Sequence, residues 1–329
     1  MCQTETTPNR CDSRFNRALF LSGATASGKT KLGVELALAL DAEILSMDSM
    51  ALYRGMDVGT AKPSLEERRG VPHHMIDVAE PWEEHSAIDY LRASKRTLDE
   101  IVERGKNALF VGGTPLYLKT LLFGAFEGPG AEPEYREELR RRAEQEGVDV
   151  LWRELNERDP VSAQRLHPND VKRVIRALEI YRLTGKPISE RQQEFNAPPI
   201  VSPRRVFILT WRRETLYARI ERRVDLMMAE GFLEEVERLM KLERGLSATS
   251  SQAVGYRELI GVLRGETSLE DAIVKIKQYT RNFAKRQETW FRSLEKSGAR
   301  RVDADDKSPE ELRDEIIDVV RRENLLAGE

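Results

Sequence analysis

The stretch that decides the fold is ALFLSGATASGKTKLGVELALAL, residues 18–40. It opens with a short apolar run at 18–21, as a buried strand would, and continues with the spacing G-x-x-x-x-G-K-T. After that spacing, apolar residues recur at the intervals of a helix. The stretch therefore predicts a strand, a phosphate-binding loop and a helix, in that order.

The residue types of this loop suit an anion. Glycines let the backbone turn its N–H groups inward, Lys29 supplies a positive charge, and the Thr30 hydroxyl is a predicted ligand of Mg²⁺. The helix that follows adds its free N–H groups and the positive end of its dipole. The predicted binders of a diphosphate or nucleotide are Gly23, Ala24, Thr25, Ala26, Ser27, Gly28, Lys29 and Thr30.

Further strand-like runs occur at 42–47, 108–111 and 206–210, and helical patterns alternate with them. Such alternation predicts a parallel sheet covered by helices on both faces. The segment from 132 to 197 is almost wholly helical in pattern and delays the last predicted strand. We therefore predict an α/β fold with a P-loop NTPase-like parallel sheet core and a helical insertion domain.

These patterns also predict the domain boundaries. The core spans 17–124 and 200–329, is discontinuous, and ends in C-terminal helices, while the helical insertion spans 125–199. The polar opening segment, 1–16, is expected to be disordered.

The composition limits the class of protein. The 329 residues are 40% hydrophobic, which allows a sizeable core, and the net charge of −3 gives no overall basic field. Cys2 and Cys11 both lie in the opening segment, so we expect neither a structural disulfide nor a cysteine metal site. No apolar run approaches membrane-spanning length and no signal-peptide pattern is present, so we expect a protein that does not enter membranes. The cysteine usage fits a reduced, cytoplasmic setting, and we expect a monomer.

Asp48 follows the predicted strand at 42–47. In open parallel sheets the carboxyl ends of the strands face the ligand crevice, so Asp48 is expected near the phosphate site. The strand at 108–111 closes with the letters GGT instead, which leaves Asp48 as the principal carboxylate candidate. The alternative is a turn or helix-capping aspartate beside Ser49.

His73 and His74 are adjacent and raise the question of a metal or acid–base site. Adjacent residues of an extended segment point in opposite directions. The sequence nearby contains no cysteine or further histidine that would complete a ligand set. We therefore expect the two histidines to have a structural packing role.

Seven motifs extend the interpretation from the loop to most of the chain. Together they resemble the tRNA dimethylallyltransferases, in the order typical of that family, from about residue 17 to 295. A zinc-finger Cys/His set is absent from the C-terminal sequence, so the resemblance is to the shorter bacterial type. The motifs are GATASGKT, DSMALYRGMDVGTAKP, VPHHMIDV, VGGTPLYLKTLL, HPNDVKRVIRALEIY, VGYREL and FAKRQETWFR.

The resemblance implies a reaction. In this family the P-loop holds the diphosphate of dimethylallyl diphosphate, with Mg²⁺, and diphosphate is the leaving group. The acceptor is N6 of adenosine 37, 3′-adjacent to the anticodon of a tRNA, and the product is N6-isopentenyladenosine. The loop residues are consistent with this, because a cradle of N–H groups and cations also stabilises the charge that grows on a departing diphosphate.

The resemblance also implies roles for single residues. Asp48 matches the catalytic aspartate, and Thr114 matches a threonine close to the substrate, with a helix N-cap before Pro115 as the alternative. Arg219 and Arg223 both match the region of an arginine that approaches the diphosphate. Arg219 is assigned to catalysis and Arg223 to diphosphate binding, although the sequence does not separate the two.

A base that enters a deep crevice must be flipped out of its stack, so the protein has to grip the splayed anticodon loop. The helix around KRVIR and the segment SQAVGYRE are the predicted contacts, and Tyr256 is expected to stack on a base unless it packs in the core. The predicted tRNA-binding residues are Asp48, Ser49, Met50, Ala51, Thr114, Arg136, Lys172, Arg173, Val174, Ile175, Arg176, Gln252, Gly255, Tyr256 and Arg257.

Three other functions compete with this interpretation. A small-molecule P-loop kinase would bind ATP and transfer its γ-phosphate, but it leaves the helical insertion and the VGYRE segment unexplained. An adenylate isopentenyltransferase would prenylate free AMP or ADP, and it has little use for a domain that grips tRNA. A nucleotide-dependent RNA-binding module without catalysis would not need Asp48.

Overall fold

The computed structural model describes residues 13–125, 128–191 and 198–326. Its sheet has six parallel strands in the order β3-β2-β4-β1-β5-β6. The α/β class and the parallel sheet predicted from the sequence are therefore confirmed. The strands are β1 (Ala18–Gly23), β2 (Ala42–Ser46), β3 (His73–His74), β4 (Asn107–Gly112), β5 (Val206–Thr210) and β6 (Arg300–Asp303).

Helices connect and cover these strands. None of the helices in the described residues is both long enough and apolar enough to cross a lipid bilayer. In chain order the helices are α1 (Lys29–Ala39), α2 (Leu65–Arg68), α3 (Ala87–Glu103), α4 (Pro115–Phe123), α5 (Pro133–Glu146), α6 (Val148–Arg158), α7 (Pro160–Arg165), α8 (Val171–Thr184), α9 (Ile188–Arg191), α10 (Arg213–Ala229), α11 (Phe232–Met240), α12 (Tyr256–Leu263), α13 (Leu269–Glu295) and α14 (Pro309–Arg322).

Strand β1 is buried along its whole length, because helices or loops cover both faces of the sheet. Leu19 and Leu21 belong to a core cluster that includes residues of α1 and α14. The side chain between them, Phe20, stacks on Phe110 of β4 with ring centroids 4.9 Å apart. Two-sided burial explains why β1, β2, β4 and β5 read as continuous apolar runs in the sequence.

The two edge strands were not predicted. β3 consists of His73 and His74, and β6 has the sequence RRVD with a single fully buried residue, Val302. Edge strands carry polar and charged residues, so they lack the apolar run that identifies a central strand. The packing role predicted for the histidines is confirmed, because a ring nitrogen of His73 lies 2.8 Å from the Val71 carbonyl and one of His74 lies 2.6 Å from Glu43 Oε2.

The start of the described chain corrects one prediction. Residues Ser13–Arg17 form a 3₁₀ helix, and Phe15 within it is only 1% exposed. Phe15 stacks on Phe20 of β1 with ring centroids 6.2 Å apart. The predicted disorder of 1–16 is therefore wrong for 13–16, while 1–12, with both cysteines, lies outside the described residues.

The described chain divides into two compact units. One comprises the described residues up to Leu122 together with those from Ile200 onward, and it contains the whole sheet. The other comprises the described residues from Phe123 to Pro199 and contains helices α5 to α9. Its own core is formed by apolar residues of these helices, including Leu139, Leu151, Leu155, Val174 and Leu178.

Candidate active site at the phosphate-binding loop

The loop between β1 and α1 needs its glycines for contact and for backbone shape. A Cβ atom on Gly23 would lie 2.8 Å from Ser27 Oγ and 3.0 Å from the Leu209 carbonyl oxygen. Gly28 has φ +89°, in the left-handed region that glycine tolerates best. Both glycines therefore allow the tight backbone path that leads the loop into the start of α1.

Helix α1 begins without a side-chain cap. Gly28 occupies the N-cap position and offers no acceptor, whereas Ser86 accepts a hydrogen bond from the Asp89 N–H at the start of α3. The first N–H groups of an uncapped helix lack partners within the helix, and they are available to an anion. The sequence GKT thus leaves the start of α1 available to a phosphate group.

Three cations surround the loop and hydrogen-bond to it. Lys29 Nζ donates to the Ala24 carbonyl over 3.1 Å, and Arg219 Nε donates to the Ala26 carbonyl over 2.8 Å. Arg223 donates from Nη1 to Thr25 Oγ1 over 3.3 Å. None of the three forms a salt bridge within the part of the chain that the structure describes. Their positive charge is therefore uncompensated by any described acid in direct contact.

The pKa values of these cations reflect that arrangement. Burial and the nearby Arg223 charge lower the pKa of Lys29 to about 8, and the Asp48 carboxylate opposes the shift. Burial also lowers the pKa of Arg219 and of Arg223, and Asp48 again opposes the shift at Arg223. A cluster of cations with lowered pKa values is stabilised when an anion binds among them.

Arg219 and Arg223 of α10 both lie at the loop, so the structure does not single out one of them. They are four residues apart and share a helix face, as the sequence spacing predicts. Arg219 stacks over the Trp211 ring at 4.2 Å, and Trp211 Nε1 donates to the Ser27 carbonyl over 2.9 Å. Glu221, between them in sequence, pairs instead with Arg281.

Asp48 follows β2 and is fixed by its own turn. Its Oδ1 accepts hydrogen bonds from the N–H groups of Met50 at 2.8 Å and Ala51 at 3.3 Å. No described residue donates a hydrogen bond to Oδ2. Asp48 therefore does form the turn that was the alternative to a catalytic role. That turn uses only one of the two carboxylate oxygens.

The turn after β4 is tied to the Asp48 turn. The Ser49 N–H donates to Thr114 Oγ1 over 3.1 Å, and the Thr114 N–H donates to the Met47 carbonyl over 3.1 Å. A Cβ atom on Gly112 would lie 2.3 Å from the Met47 carbonyl oxygen, so only glycine allows this approach. At the start of α4, the Thr114 carbonyl accepts a hydrogen bond from the Leu118 N–H. The Thr114 hydroxyl contacts the Asp48 turn through Ser49.

Sequence reasoning missed Gln287, although it lies inside the quoted motif FAKRQETWFR. Gln287 is carried by α13 and is 2% exposed. Its Oε1 accepts the Thr25 N–H over 2.9 Å, and its Nε2 donates to the Gly113 carbonyl over 2.5 Å. No sequence pattern links residues so distant in the chain, and only a glutamine beside two basic residues was visible.

A cavity of about 1290 Å³ adjoins the loop. Lys29, Thr30, Arg219 and Arg223 line it, and on another side Asp57, Val58, Ala61, Lys62 and Pro63 of the DVGTAKP motif do so. The end of the loop, the two arginines and the Mg²⁺ candidate Thr30 therefore face one open space. Residues that were predicted for the site but do not line this cavity are Gly23, Ala24, Thr25, Ser27, Asp48 and Thr114.

Glu235 shapes the DVGTAKP wall of this cavity. It is fully buried, and its carboxylate accepts the N–H groups of Asp57, Val58 and Gly59 at 2.8, 2.7 and 3.1 Å. The Tyr256 hydroxyl donates to the same carboxylate over 2.7 Å. The motifs DVGTAKP and VGYREL thus meet at a buried acid that sequence reasoning did not identify.

Tyr256 and Gly255 were predicted to bind tRNA, and the structure contradicts both predictions. Tyr256 is fully buried, and its ring packs edge-on against Phe232 with centroids 5.0 Å apart. A Cβ atom on Gly255 would lie 2.7 Å from the Phe232 ring, so this glycine is required by packing. Gln252 and Arg257 are exposed, and Arg257 pairs with Glu258 at 2.6 Å.

In the helical unit the KRVIR segment separates into two groups. Val174 and Ile175 are buried in its core, so their predicted contact with tRNA is wrong. Lys172 and Arg173 are exposed, and Arg173 pairs with Asp170 at 2.6 Å. Lys172 and Arg173 remain predicted contacts of tRNA.

Arg136 and Arg176, also predicted to bind tRNA, share a buried partner instead. Glu179 is fully buried and accepts Arg136 Nε and Nη2, both at 2.8 Å, and Arg176 Nη1 at 2.5 Å. A buried carboxylate left without its cations is costly, so these arginines stabilise the fold of the helical unit. Both arginines thus have a structural role, and their contact with tRNA stays a prediction.

The family assignment comes from comparison with known proteins. A family model described as IPP transferase matches residues 51–294. The chain belongs to the IPP transferase family. Among its relatives, tRNA dimethylallyltransferase 1 of Trichlorobacter lovleyi is 45% identical over 277 residues, 84% of this chain and 91% of the relative. The tRNA dimethylallyltransferase of Caldanaerobacter subterraneus is 43% identical over 306 residues, 91% and 96% of the two chains. The resemblance found in the sequence is confirmed.

Solved structures of IPP transferases agree with this assignment. The full-length tRNA isopentenylpyrophosphate transferase of Bacillus halodurans is 40% identical, with a TM-score of 0.66 over 94% of this chain and 98% of that chain. A eukaryotic dimethylallyltransferase acting on tRNA is 29% identical, with a TM-score of 0.77 over 93% and 80% of the two chains. The predicted P-loop-like fold is shared with these enzymes.

The Mg²⁺ expected for this IPP transferase has few protein ligands. Within the described residues, no group of three or more His, Cys, Asp and Glu is placed to hold a metal ion. Thr30, the predicted ligand, is exposed at the start of α1. Its hydroxyl oxygen fits Mg²⁺ when diphosphate oxygens and water complete the coordination, which is how Mg²⁺ usually binds beside phosphates.

Proposed function

We propose that this protein transfers the dimethylallyl group of dimethylallyl diphosphate to N6 of adenosine 37 in tRNA, and releases diphosphate. The observation that carries the proposal is the set of three uncompensated cations, Lys29, Arg219 and Arg223, on a phosphate-binding loop. Asp48 lies close enough to oppose the pKa shifts of two of these cations. A diphosphate site and a general base therefore share one electrostatic environment.

On the donor side, the allylic C–O bond breaks and its electron pair leaves with the diphosphate. The N–H groups at the start of α1 and the three cations stabilise the negative charge that develops on the leaving group. Thr30, together with oxygens of the diphosphate, would hold Mg²⁺, which neutralises further charge on the leaving group.

On the acceptor side, Asp48 Oδ2 accepts a hydrogen bond from the exocyclic amine. The amine nitrogen forms the new bond to the allylic carbon, and its proton passes to Asp48. The Oδ1 hydrogen bonds to Met50 and Ala51 hold the carboxylate in place during this step. Thr114 keeps the Asp48 turn in register through Ser49.

The cavity has room for the donor. Its volume of about 1290 Å³ exceeds the 300–1,000 Å³ typical of small-molecule pockets, so a five-carbon diphosphate fits beside Lys29, Arg219 and Arg223. The base would approach Asp48 after flipping out of the anticodon loop. We assign the grip on tRNA to Lys172, Arg173, Gln252 and Arg257, all exposed, and we place the reaction in the cytoplasm, with one chain carrying the complete donor site.

The test uses an anticodon stem–loop RNA with adenosines at positions 36, 37 and 38, incubated with protein, Mg²⁺ and dimethylallyl diphosphate. Mass spectrometry should show the gain of one dimethylallyl group at adenosine 37 with the native chain and none with Asp48→Asn. ATP in place of the donor, and AMP in place of the RNA, serve as controls. Transfer of phosphate from ATP would indicate a kinase, and prenylation of AMP but not of RNA would indicate an adenylate isopentenyltransferase.

A further inference from the structure

One side chain connects the donor loop to the acceptor turn. Gln287, from the middle of the 27-residue helix α13, reaches the Thr25 N–H with its carbonyl oxygen and the Gly113 carbonyl with its amide nitrogen. With 2% exposure the side chain is shielded from water, so both hydrogen bonds form in a low-dielectric setting that strengthens them.

Each end of this bridge leads directly to a group of the proposed reaction. Thr25 is a residue of the phosphate-binding loop, and its hydroxyl accepts from Arg223. Gly113 immediately precedes Thr114, whose hydroxyl holds the Ser49 N–H next to Asp48. One amide group thus sits between the residues that hold the leaving group and the residues that hold the base.

The space between the two loops is filled closely. A Cβ atom on Gly113 would lie 2.7 Å from Gln287 Nε2, 3.0 Å from the Gly23 carbonyl oxygen and 3.4 Å from Lys29 Cε. The Gln287 amide, the start of the loop and the Lys29 side chain therefore all meet at Gly113. At the strand ends, Ser22 Oγ donates to the Gly112 carbonyl over 2.8 Å, where β1 pairs with β4. Beyond these ends, Gln287 is the one described side chain that hydrogen-bonds to both Thr25 and Gly113, so a shift of its amide changes the distance between loop and turn.

We propose that Gln287 is a positioning residue that sets the separation between the leaving diphosphate and Asp48. The inference rests on the proposed function, since it assigns the two loops to donor and acceptor. It also explains the residue type, because an amide presents an acceptor to an N–H and a donor to a carbonyl and stays uncharged at every pH at which the protein is folded.

The substitution Q287E provides the decisive measurement, because it makes the bridge depend on pH. A protonated carboxyl group offers a carbonyl oxygen to Thr25 and an O–H to Gly113, as the amide does. An ionised carboxylate places negative charge against the Gly113 carbonyl and loses the donor. We expect kcat relative to the native chain to be within threefold at pH 5.5 and to fall at least 30-fold by pH 8.

The expected loss lies in kcat, since a misplacement of about 1 Å between reacting groups costs about 100-fold in rate, while the cations that bind the donor remain. The KM for dimethylallyl diphosphate should change less than threefold in the uncharged variant Q287M, which adds no negative charge near Lys29. The matched control is Q278E, which adds the same charge at an exposed position of the same helix and should keep the native pH profile. A native profile for Q287E would overturn the proposal.

A second variant separates the bridge from the proposed function. Q287M keeps the volume and removes both hydrogen bonds, so hydrogen exchange of the Thr25 amide should rise without any substrate present. Its kcat should fall 10- to 100-fold at every pH, with no recovery at low pH. Unchanged exchange at Thr25 in a folded Q287M protein would overturn the positioning role, whereas absence of transfer by the native chain would overturn the proposed function instead.

Discussion

The Ser49 N–H donates to Thr114 Oγ1 over 3.1 Å, and this bond joins the turn after β2 to the turn after β4. The two turns follow adjacent strands, because β2 pairs with β4 in the sheet. Asp48, one residue before Ser49, is therefore positioned by a residue that lies 66 places further along the chain. The arrangement makes the Thr114 hydroxyl a test of how the general base is held.

Replacing Thr114 by valine should reduce kcat by about 10- to 100-fold, because the isosteric side chain cannot accept the Ser49 N–H and the Asp48 turn loses its register. The unpaired N–H should also lower the free energy of unfolding by about 1–3 kcal/mol. Steady-state kinetics and chemical denaturation measure the two effects. Thr114→Ser restores the hydroxyl and should recover most of the activity; equal losses in the serine and valine variants would contradict this role.

Asp48→Asn should abolish transfer while leaving donor binding in place. The amide oxygen still accepts the Met50 N–H, so the turn survives, but the amide cannot take the proton from N6. We expect a loss of about 100- to 10,000-fold in kcat, the range typical of general-base catalysis. Single-turnover assays with bound donor measure it. A variant that retains a tenth of native activity would show that Asp48 is not the base.

Donor binding should weaken as the pH rises through about 8. Lys29 binds diphosphate in its protonated form, and burial with the Arg223 charge sets the pKa of Lys29 near 8 in the free protein. A bound anion raises that pKa, so affinity is fully present below it and falls towards tenfold per pH unit above it. The pH profile of kcat/KM for the donor measures this. Lys29→Arg stays charged at these pH values, and its profile should be flat across the same range.

Glu235→Gln should destabilise the protein by about 2–4 kcal/mol. Its carboxylate accepts three backbone N–H groups, and an amide nitrogen in place of one oxygen would face donors with a donor. Tyr256→Phe removes a single hydrogen bond to the same acid and should cost about 1 kcal/mol, with no change in tRNA affinity because the ring is buried. Equal stability of the native and Glu235→Gln proteins would contradict the network.

The double substitution of Lys172 and Arg173 by alanine should weaken tRNA binding about three- to tenfold and reduce its dependence on salt. Both side chains are exposed, so the fold of the helical unit should be unaffected. Arg141→Ala, at another exposed position of that unit, is the matched control and should bind as the native chain does. Filter binding at several salt concentrations measures both, and an unchanged salt slope would remove KRVIR from the tRNA site.

Arg176→Ala should behave differently from the Lys172 and Arg173 variant. Its partner Glu179 is fully buried, so removal of the guanidinium leaves a buried acid with one cation fewer. We expect a loss of about 3 kcal/mol in stability of the helical unit, measured by denaturation, before any specific effect on RNA. A fully stable Arg176→Ala variant with weak tRNA binding would restore the original assignment of this arginine to the RNA.

The parts of the fold that the sequence predicted are those in which local pattern and burial coincide. β1 and β4 are buried on both faces and read as apolar runs, and the loop after β1 has a spacing that only a few conformations satisfy. β3 and β6 lie at the sheet edges, where exposure to solvent removes the apolar signal. These two strands are defined by their hydrogen bonds to β2 and β5, and no local sequence pattern indicates which strands will pair.

The sequence predicted the loops of the candidate site but not the side chains that link these loops to one another. Asp48 and Lys29 follow the carboxyl ends of strands that the sequence predicts. Since parallel strands end at the same edge of the sheet, the two residues could be expected near each other. Gln287 and Glu235 act through contacts with residues more than 170 positions away, and their types are ordinary for a helix. Tyr256 shows the reverse error, because an aromatic residue in a family motif was expected at the surface and is held in the core by a buried acid.

The order of strands has a consequence for synthesis on the ribosome. β1 pairs with β4 on one side and with β5 on the other, and the helical unit is translated between those two partners. A nascent chain that ends before Val206 therefore presents β1, which is mostly apolar, as an open sheet edge, the kind of surface that recruits chaperones or aggregates. The phosphate-binding loop acquires its glutamine contact later still, so the donor site is complete only after α13 has been translated and has folded against the loop.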